Sequence, residues 1–390
     1  MKILHIGKYF PPHRGGMERY LKDLMIAQQR QGLRCQALVH RSDISLANDA
    51  VELNGTGGNI LVRRAAVWLR LLFTPVSPLL PFLLQRAIRE FRPDVLHVHL
   101  PNLSSTWVLL LPSARRIPLV IHWHSDIPAS GKSKALGLFY RLYRPLERAL
   151  LRHSRAIIVT SPPYLETSRP LQGFRDKCRV IPLGLPGDEI TTHPLDDALP
   201  TRVLAVGRLT YYKGFEYLVR ALAQCGDTVV HLVGSGSEEQ ALKALARQLD
   251  VADRIHFHGE VDDQALSEMY QTCHYLCLPS IERTEAFGMV LLEAMQQQRP
   301  ALVTTVAGSG MTWVVDDGKT GVHCRQEDPQ ALADAMRTLG NDRAKLRRLG
   351  ANAYAKFRRN FCIEQSERQL AQLYMGVCST GEGTERPGQP

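Results

Sequence analysis

The sequence lacks three features that would have placed it in particular protein classes. It has no apolar run long enough to cross a bilayer, and its start, MKILHIGKYFPP, breaks at a proline pair before it reaches the length of a signal peptide. None of its eight cysteines form a CxxC pair, so neither a disulfide framework nor a zinc site is indicated. We therefore expect a reduced, cytoplasmic protein, with a peripheral position at the inner face of the cytoplasmic membrane left open.

The remaining composition indicates a globular protein with two domains. A chain of 390 residues is too long for one typical core and suits two domains of ordinary size. Hydrophobic residues make up 44% and charged residues 22%, which excludes the disordered and fibrous classes.

Positive charge is concentrated in the first half of the chain. Residues 1–190 contain 27 Lys and Arg against 13 Asp and Glu, a balance of +14, whereas the remainder has a balance of −4. A basic half suits an anionic partner such as membrane lipid, a phosphorylated acceptor or nucleic acid, and a solvated basic surface is the alternative. No recognition motif or basic-aromatic repeat supports nucleic acid, so we do not predict that partner.

The order of patterns predicts an α/β fold with two Rossmann-like, doubly wound parallel-sheet domains that face each other across a cleft. The chain begins with a strand, a glycine loop, a helix and a strand, and the same series starts again at RVLAVGRL (202–209). We predict an N-terminal domain over residues 1–184 and a C-terminal domain over 201–360, joined by a polar, proline-rich linker at 185–200. A helix at 361–379 is expected to return to the first domain, and the tail 380–390 is expected to be disordered.

Residues 60–92 combine apolar clusters with arginines and carry Trp68, Phe73 and Phe82. This composition is typical of a helix pair that lies at a membrane surface. Ordinary core helices broken by prolines would look similar, so both interpretations remain open.

The strongest chemical signal is EAFGMVLLEAM, residues 285–295. The spacing predicts that Glu285 lies in a loop and Glu293 on the helix that follows. One carboxylate would then bind sugar hydroxyls and the other ribose hydroxyls, with a diphosphate at the helix N-terminus. The backbone that would approach this anion belongs to Phe287, Gly288, Met289 and Val290. The alternative is a helix with a capping acid and one exposed glutamate.

Three further loops contain residue types that suit a phosphorylated ligand. In GRLTYYKG, Arg208 and Lys213 follow a strand and would clamp a diphosphate, although two solvent-facing cations are the alternative. Two glycine turns would let backbone approach a ligand closely, although a simple turn is the usual interpretation of each. Their glycines are Gly15 and Gly16 before the first helix, and Gly234 and Gly236 in VGSGSEE.

HWHSD contains two histidines, His122 and His124, at the end of an apolar strand. Alternation places both rings on one side of the strand, so that one of them would line the cleft. No further ligands stand nearby at metal-binding spacing, and we therefore predict no metal. The alternative is a hydrogen-bonded histidine within the sheet, and we interpret His97 and His99 as structural in this sense.

Together, these residues resemble glycosyltransferase family 4, a family of retaining enzymes with the GT-B fold. The matching motifs stand in the family's order, from the Gly15-Gly16 loop through HSD, GRLxxYKG and VGSGxE to E-x7-E. The segment LPSIERTEAFGMVLLEAM is particularly similar to the corresponding segment of bacterial mannosyl- and rhamnosyltransferases of cell-surface polysaccharide assembly. One mild departure is Ala307-Gly308, where many members have Gly-Gly.

The resemblance implies that the N-terminal domain (1–184) binds the acceptor and the C-terminal domain (201–360) the nucleotide sugar. It also implies a role for each matching residue. Glu293 would hold the ribose, Glu285 the hydroxyls of the donor sugar, and His124 would lie beside the transferred sugar. Arg208 and Lys213, helped by the Gly15-Gly16 loop, would bind the diphosphate. The mechanism favoured for the family is front-face displacement, in which the leaving phosphate takes the acceptor's proton, so no general base is assigned. The chain has no Asp-x-Asp, which agrees with the family's usual independence of metals, and no cofactor is expected.

The function that follows from the resemblance is retaining transfer of a hexose, with mannose or rhamnose favoured, from a nucleoside-diphosphate sugar. The acceptor would be a glycan or a lipid-linked saccharide at an anionic membrane surface. A nucleotide-sugar epimerase or hydrolase of the same fold is the first alternative. A nucleotide-sugar-binding protein without catalysis is the second.

Overall fold

The computed structural model describes residues 1–55, 58–71, 74–127, 134–187 and 200–379. The chain divides into two compact units. The first contains Met1–Thr160, Leu165–Pro186 and the chain from Ile363, and the second contains Ser161–Tyr164 and Gly187–Cys362. Most of the predicted linker and the whole of the predicted tail 380–390 lie outside the described residues.

The first unit is built on a sheet of eight strands, nearly all of them parallel. Its elements in chain order are β1 Lys2–Ile6, α1 Gly16–Arg30, β2 Arg34–His40, β3 Asp49–Gly55, β4 Gly58–Ala65, β5 Leu69–Leu71, β6 Thr74–Val76, α2 Leu80–Phe91, β7 Val95–Leu100, α3 Trp107–Leu110, α4 Pro112–Arg115, β8 Leu119–Trp123, α5 Lys134–His153, β9 Ala156–Val159, α6 Pro162–Thr167 and β10 Cys178–Val180. The strand order is β10-β9-β8-β7-β1-β2-β4-β3, in which only β3 runs antiparallel, and β5 and β6 form a separate pair. The central strands β1, β7 and β8 are almost wholly buried because both faces of the sheet are covered, and they carry histidines among their apolar residues.

The second unit is built on a six-stranded parallel sheet. Its elements are β11 Thr201–Val206, α7 Phe215–Leu222, β12 Thr228–Val233, α8 Glu239–Gln248, β13 Ile255–Gly259, α9 Asp263–Thr272, β14 Tyr275–Leu278, α10 Met289–Gln296, β15 Ala301–Thr304, α11 Met311–Val314, β16 Gly321–Cys324, α12 Pro329–Gly340 and α13 Arg343–Asn360. The order β13-β12-β11-β14-β15-β16 reverses direction between β11 and β14. Such a switch point leaves a crevice at the carboxyl ends of the two strands, where ligands bind in folds of this kind.

Residues 60–92 do not form the predicted pair of helices. Residues 58–65 form β4, which lies between β2 and β3, and of the described residues in this stretch only Leu80–Phe91 form a helix, whose apolar face is buried as the core-helix interpretation expects. Two of the arginines that suggested a membrane surface are ion-paired within the unit, because Arg63 contacts Glu90 at 2.6 Å and Arg64 contacts Asp49 at 2.6 Å. The exposed rings of Trp68 and Phe82 remain at the surface, and Phe73 lies outside the described residues.

The last helix, α14 Ile363–Ser379, packs against α1 in the first unit. Its Tyr374 is buried and accepts a hydrogen bond from Gln28 Nε2 at 3.1 Å, and its hydroxyl lies 2.6 Å from His97 Nδ1. At the start of the helix, the Ile363 N–H donates to the Leu185 carbonyl at 2.8 Å. Two ends of the chain that are distant in sequence therefore share one core.

Among the helices in the described ranges, none combines the length and the apolar character needed to span a membrane.

We expect Tyr374→Phe to lower the free energy of unfolding of the first unit by about 1–3 kcal/mol, because Gln28 and His97 would each lose a partner while staying buried. Urea denaturation at neutral pH measures the difference. The matched control is Met375→Ala, whose side chain is 57% exposed and whose loss should change stability by less than about 0.5 kcal/mol. Equal effects of the two substitutions would contradict a buried hydrogen-bond network at this position.

Candidate active site

Two loops interlock at the carboxyl edge of the second sheet, beside its switch point. Residues 207–214 follow β11, and residues 279–288 follow β14. The Ile281 N–H donates to the Tyr212 carbonyl at 2.9 Å. Gly214 has φ of +66°, and a Cβ atom there would lie 2.1 Å from the Pro279 carbonyl oxygen. Only glycine permits this approach, which fixes the two loops against each other.

A buried ion pair joins the same two loops. Lys213 Nζ lies 2.5 Å from Glu285 Oε2, and the two side chains are only 10% and 12% exposed. Burial acts to lower the pKa of Lys213, but the Glu285 carboxylate outweighs it and raises the pKa above its ordinary value. The lysine therefore keeps its charge inside the fold. Both residues were predicted for the site, but their direct pairing was not foreseen.

A third loop, residues 234–238 before α8, packs on the first of these loops. The Leu209 N–H donates to the Ser235 carbonyl at 2.9 Å, and the Glu238 N–H donates to the Leu209 carbonyl at 3.0 Å. A Cβ atom on Gly234 would lie 2.0 Å from the Gly207 carbonyl oxygen, and one on Gly236 would lie 2.2 Å from that of Leu209. These two glycines thus permit close packing of backbone on backbone and place their loop beside the exposed Arg208.

The other predicted carboxylate lies on α10. Glu293 Oε2 accepts a hydrogen bond of 2.7 Å from the hydroxyl of Tyr270, a partner that the sequence analysis missed. The helix begins after Gly288, which has φ of +84°, and no side chain caps it. The N–H groups of its first turn, including those of Met289 and Val290, are therefore oriented to meet an anion.

Two hydrogen bonds and one ring contact hold residues 285–287, the segment that leads into α10. Ser309 Oγ donates to the Glu285 carbonyl at 2.5 Å, and the Gly310 N–H donates to that of Ala286 at 2.9 Å. The ring of Phe287 packs edge-on against Phe361, with centroids 6.0 Å apart. The loop that carries Glu285 is thus held by residues that no motif identified.

The remaining predicted residues lie at the carboxyl edge of the first sheet. Gly15 and Gly16 begin α1, where no side chain caps the helix, and the buried Glu18 lies against Gly15. A small cavity beside them is lined by residues that include Tyr9, Glu18 and His99. The structure thus places Gly15, Gly16 and His124 in the first unit, and every other predicted site residue in the second.

His124 belongs to a chain of buried hydrogen bonds. Its Nε2 lies 3.0 Å from His99 Nδ1, His99 Nε2 lies 3.2 Å from His5 Nδ1, and His5 Nε2 lies 2.8 Å from Gln28 Oε1. Burial lowers the pKa of His124 to about 3, so the imidazole is neutral near neutral pH.

The neighbourhood of His124 corrects one step of the sequence argument. No further ligands stood near HWHSD in sequence, yet the fold brings His99 to it, and one ring nitrogen each of His99, His122 and His124 all lie within 4.8 Å of one another. His5, His97 and His99 form a second group of the same kind. The rings of His122 and His124 are nearly parallel, at 2° with centroids 4.3 Å apart. The argument from sequence spacing against a metal therefore does not hold in the fold, and the absence of a metal remains a prediction.

Two family models match this chain. The model described as Glycosyltransferase Family 4 matches residues 14–188, and the model described as Glycosyl transferases group 1 matches residues 195–356. The D-rhamnosyltransferase WbpZ of Pseudomonas aeruginosa is 31% identical over 374 residues, which are 93% of this chain and 92% of that protein. The chain belongs to glycosyltransferase family 4.

A second relative and two solved structures extend this result. The O-antigen chain mannosyltransferase C of Escherichia coli is 28% identical over 388 residues, 96% of this chain and 98% of that protein. The sucrose-phosphate synthase of Thermosynechococcus elongatus has a TM-score of 0.81 at 23% identity and covers 97% of this chain and 99% of its own. The HepE protein of Anabaena, solved with UDP and glucose, has a TM-score of 0.73 at 22% identity over 96% and 99%. The fold is GT-B and the protein is a glycosyltransferase, which confirms the predicted family, fold class and type of enzyme.

We expect Gly236→Ala to weaken nucleotide binding, because the new Cβ atom would meet the Leu209 carbonyl oxygen at 2.2 Å and displace the loop that carries Arg208. The matched control is Gly226→Ala, where an added Cβ atom meets no atom within 4 Å. The nucleotide-dependent shift of the melting temperature measures both variants. A full shift in Gly236→Ala would contradict the packing of the two loops.

Acid is expected to destabilise the first unit through its buried histidines. Burial lowers the pKa of His5 to about 4 and holds that of His97, His99 and His122 well below the ordinary value. The unfolded chain takes up protons below about pH 6.5 while the folded chain does not, so the stabilisation present above that pH is lost as pH falls toward 4. Each histidine adds at most about 1.4 kcal/mol per pH unit.

The measurement is the free energy of unfolding in urea at several values between pH 7 and pH 4. In His122→Leu the dependence on pH should be shallower, because the substitution removes one imidazole that takes up a proton only when the chain unfolds. The substitution breaks no hydrogen bond, since neither ring nitrogen of His122 has a partner among the described residues. The same substitution at the exposed His256 of the second unit is the control. An unchanged slope in His122→Leu would show that this ring is not held neutral by burial.

Proposed function

We propose that this glycosyltransferase transfers a hexose, mannose or rhamnose, from a nucleoside-diphosphate sugar to a saccharide acceptor in cell-surface polysaccharide synthesis. The two relatives named above support this choice, because one is an O-antigen mannosyltransferase and the other a D-rhamnosyltransferase, and each matches over more than nine-tenths of the chain. The observation that carries the donor assignment is the buried Lys213–Glu285 pair beside the uncapped start of α10.

The site in the second unit suits a nucleoside diphosphate. Arg208 and Lys213 provide two positive charges, and the first turn of α10 provides backbone donors for the same anion. Glu293, oriented by Tyr270, would accept the ribose hydroxyls. Glu285 would accept hydroxyls of the sugar, while the hydrogen bond from Lys213 Nζ to Glu285 Oε2 keeps the lysine in place.

The proposed chemistry is retaining displacement on one face of the sugar. The bond between C1 of the sugar and the phosphate oxygen breaks, and the acceptor oxygen forms its bond to C1 on the same face. The acceptor's proton passes to the leaving phosphate, so no side chain acts as a base. Arg208 and Lys213 would stabilise the negative charge that develops on the diphosphate, and preorganised charge of this kind is commonly a large part of catalysis.

The roles of the first unit remain predictions. The Gly15-Gly16 loop is proposed to help bind the diphosphate, and the neutral His124 is proposed to hydrogen-bond the transferred sugar. The unpartnered, buried Nδ1 atom of His124 supports the latter, since within the described ranges it lacks a protein partner. The acceptor is proposed to be a lipid-linked saccharide at the inner face of an anionic membrane, which suits the balance of +14 in residues 1–190.

The first test is the melting temperature of the protein with GDP, UDP, dTDP or ADP. A nucleotide that binds only the folded state at 100 times its Kd should stabilise it by about 2.7 kcal/mol, and we expect GDP to give the largest shift. Glu293→Gln should lose most of that shift, because a neutral amide is a weaker acceptor for ribose hydroxyls than a carboxylate.

Glu268→Gln, an exposed position on α9, is the matched control and should keep the full shift. The melting temperature of each variant without nucleotide shows that it is folded. If none of the four nucleotides shifts the wild type, the proposal of a nucleotide-sugar donor fails.

A further inference from the structure

Helix α5 exposes a row of leucines. Leu138, Leu142 and Leu146 are 61%, 71% and 43% exposed, although leucine is among the residues most often buried. A spacing of four residues places the three side chains one turn apart on the same side of the helix. We refer to these three residues as the leucine row.

A second row, of arginines, lies beside the first. Arg141, Arg144, Arg148 and Arg152 are all exposed, and at 100° per residue they fall on the side of α5 next to the leucine row. Within the ranges that the structure describes, none of the four forms an ion pair with a carboxylate. We refer to them as the arginine row.

The rest of α5 faces the core of the first unit. Tyr143, Leu150 and Leu151 are buried. The only acidic residue of the helix, Glu147, is also buried, and it accepts a hydrogen bond of 2.9 Å from the hydroxyl of Tyr140. The solvent side of the helix therefore carries positive charge and apolar side chains with no acidic residue among them.

Neighbouring elements add further exposed apolar side chains. Leu110 is exposed on α3, which packs beside α5. Phe82 is exposed on α2, and α2 is joined to α4 by a hydrogen bond of 2.8 Å from Ser113 Oγ to Gln85 Oε1. Right-handed crossovers put α2, α4 and α5 on one face of the sheet, because each connects to a strand on the same side of β1.

We propose that the leucine row and the arginine row of α5 form the surface by which this protein docks on an anionic lipid bilayer. A helix of this composition lies in the plane of the interface, with leucines in the acyl boundary and arginines at the headgroups. The proposal rests on the proposed function in one respect, which is that the enzyme would reach a lipid-linked acceptor at the membrane surface. It moves the predicted contact from residues 60–92 to α5, with Phe82 beside it, since Arg63 and Arg64 are already paired with acids.

Flotation of the full-length protein with vesicles tests the proposal. Vesicles of phosphatidylglycerol and phosphatidylcholine are compared with phosphatidylcholine alone, each at low and at high salt. The wild type should float only with anionic vesicles and less at high salt. Arg141→Gln with Arg148→Gln should weaken partitioning about 30-fold at low salt, and Leu138→Ser with Leu142→Ser at least about tenfold.

Matched controls remove the same groups elsewhere. Arg247→Gln with Arg348→Gln removes two exposed charges from the second unit, and Leu46→Ser removes an exposed leucine outside α5. Both controls should float like the wild type. Because all of these positions are exposed, the variants should keep the melting temperature of the wild type.

Two results would overturn the proposal. One is equal flotation of the wild type and the leucine variant. The other is a wild-type dimer in light scattering that the leucine variant dissociates while no protein floats, which would assign the leucine row to a second copy of the chain. The nucleotide-dependent melting shift, measured on the same variants, should be unchanged. If nucleotide does not shift the melting temperature of the wild type, the proposed nucleotide-sugar donor fails. The flotation result still decides whether α5 docks on the bilayer.

Discussion

A buried ion pair, Lys213 with Glu285, is the interaction on which the second unit's site depends. Removing either partner would leave a charge inside the fold without its counterion, which costs more than the pair itself contributes. The pair forms only because the sheet order places β11 beside β14 and because Gly214 lets the two loops touch. One contact thus fixes both the cation proposed to bind the phosphate and the carboxylate proposed to bind the sugar.

The buried histidine cluster of the first unit is polar but uncharged. Its buried histidines are kept neutral by burial and are linked to Gln28 and, through α14, to Tyr374. The neutral imidazole of His124 is proposed to orient a hydroxyl of the sugar. In the proposed displacement without an enzymatic base, fixed positive charge and positioning would supply the catalysis.

Net charge alone did not identify the arginines that remain available to a partner. Arg63 and Arg64 lie in a stretch that resembles a membrane helix in composition, yet both are paired with acids across β4. The arginines of α5 belong to no motif in the sequence, yet they lie exposed beside a row of leucines. Pairing across the fold, and not the number of arginines, decides which of them can meet an anionic surface.

The sequence by itself determined the family, most strands and the placement of Glu285 in a loop and Glu293 on a helix, because buried parallel strands and helix starts leave local patterns. It did not reveal β3, whose residues DAVELNG mix apolar and polar types, or β4, where the adjacent Arg63 and Arg64 interrupt the apolar pattern. Only the tertiary structure decided which distant residues meet, such as Lys213 with Glu285 across 72 residues and His5 with His99 across 94. Such contacts depend on strand order, and strand order is set by the packing of the whole sheet.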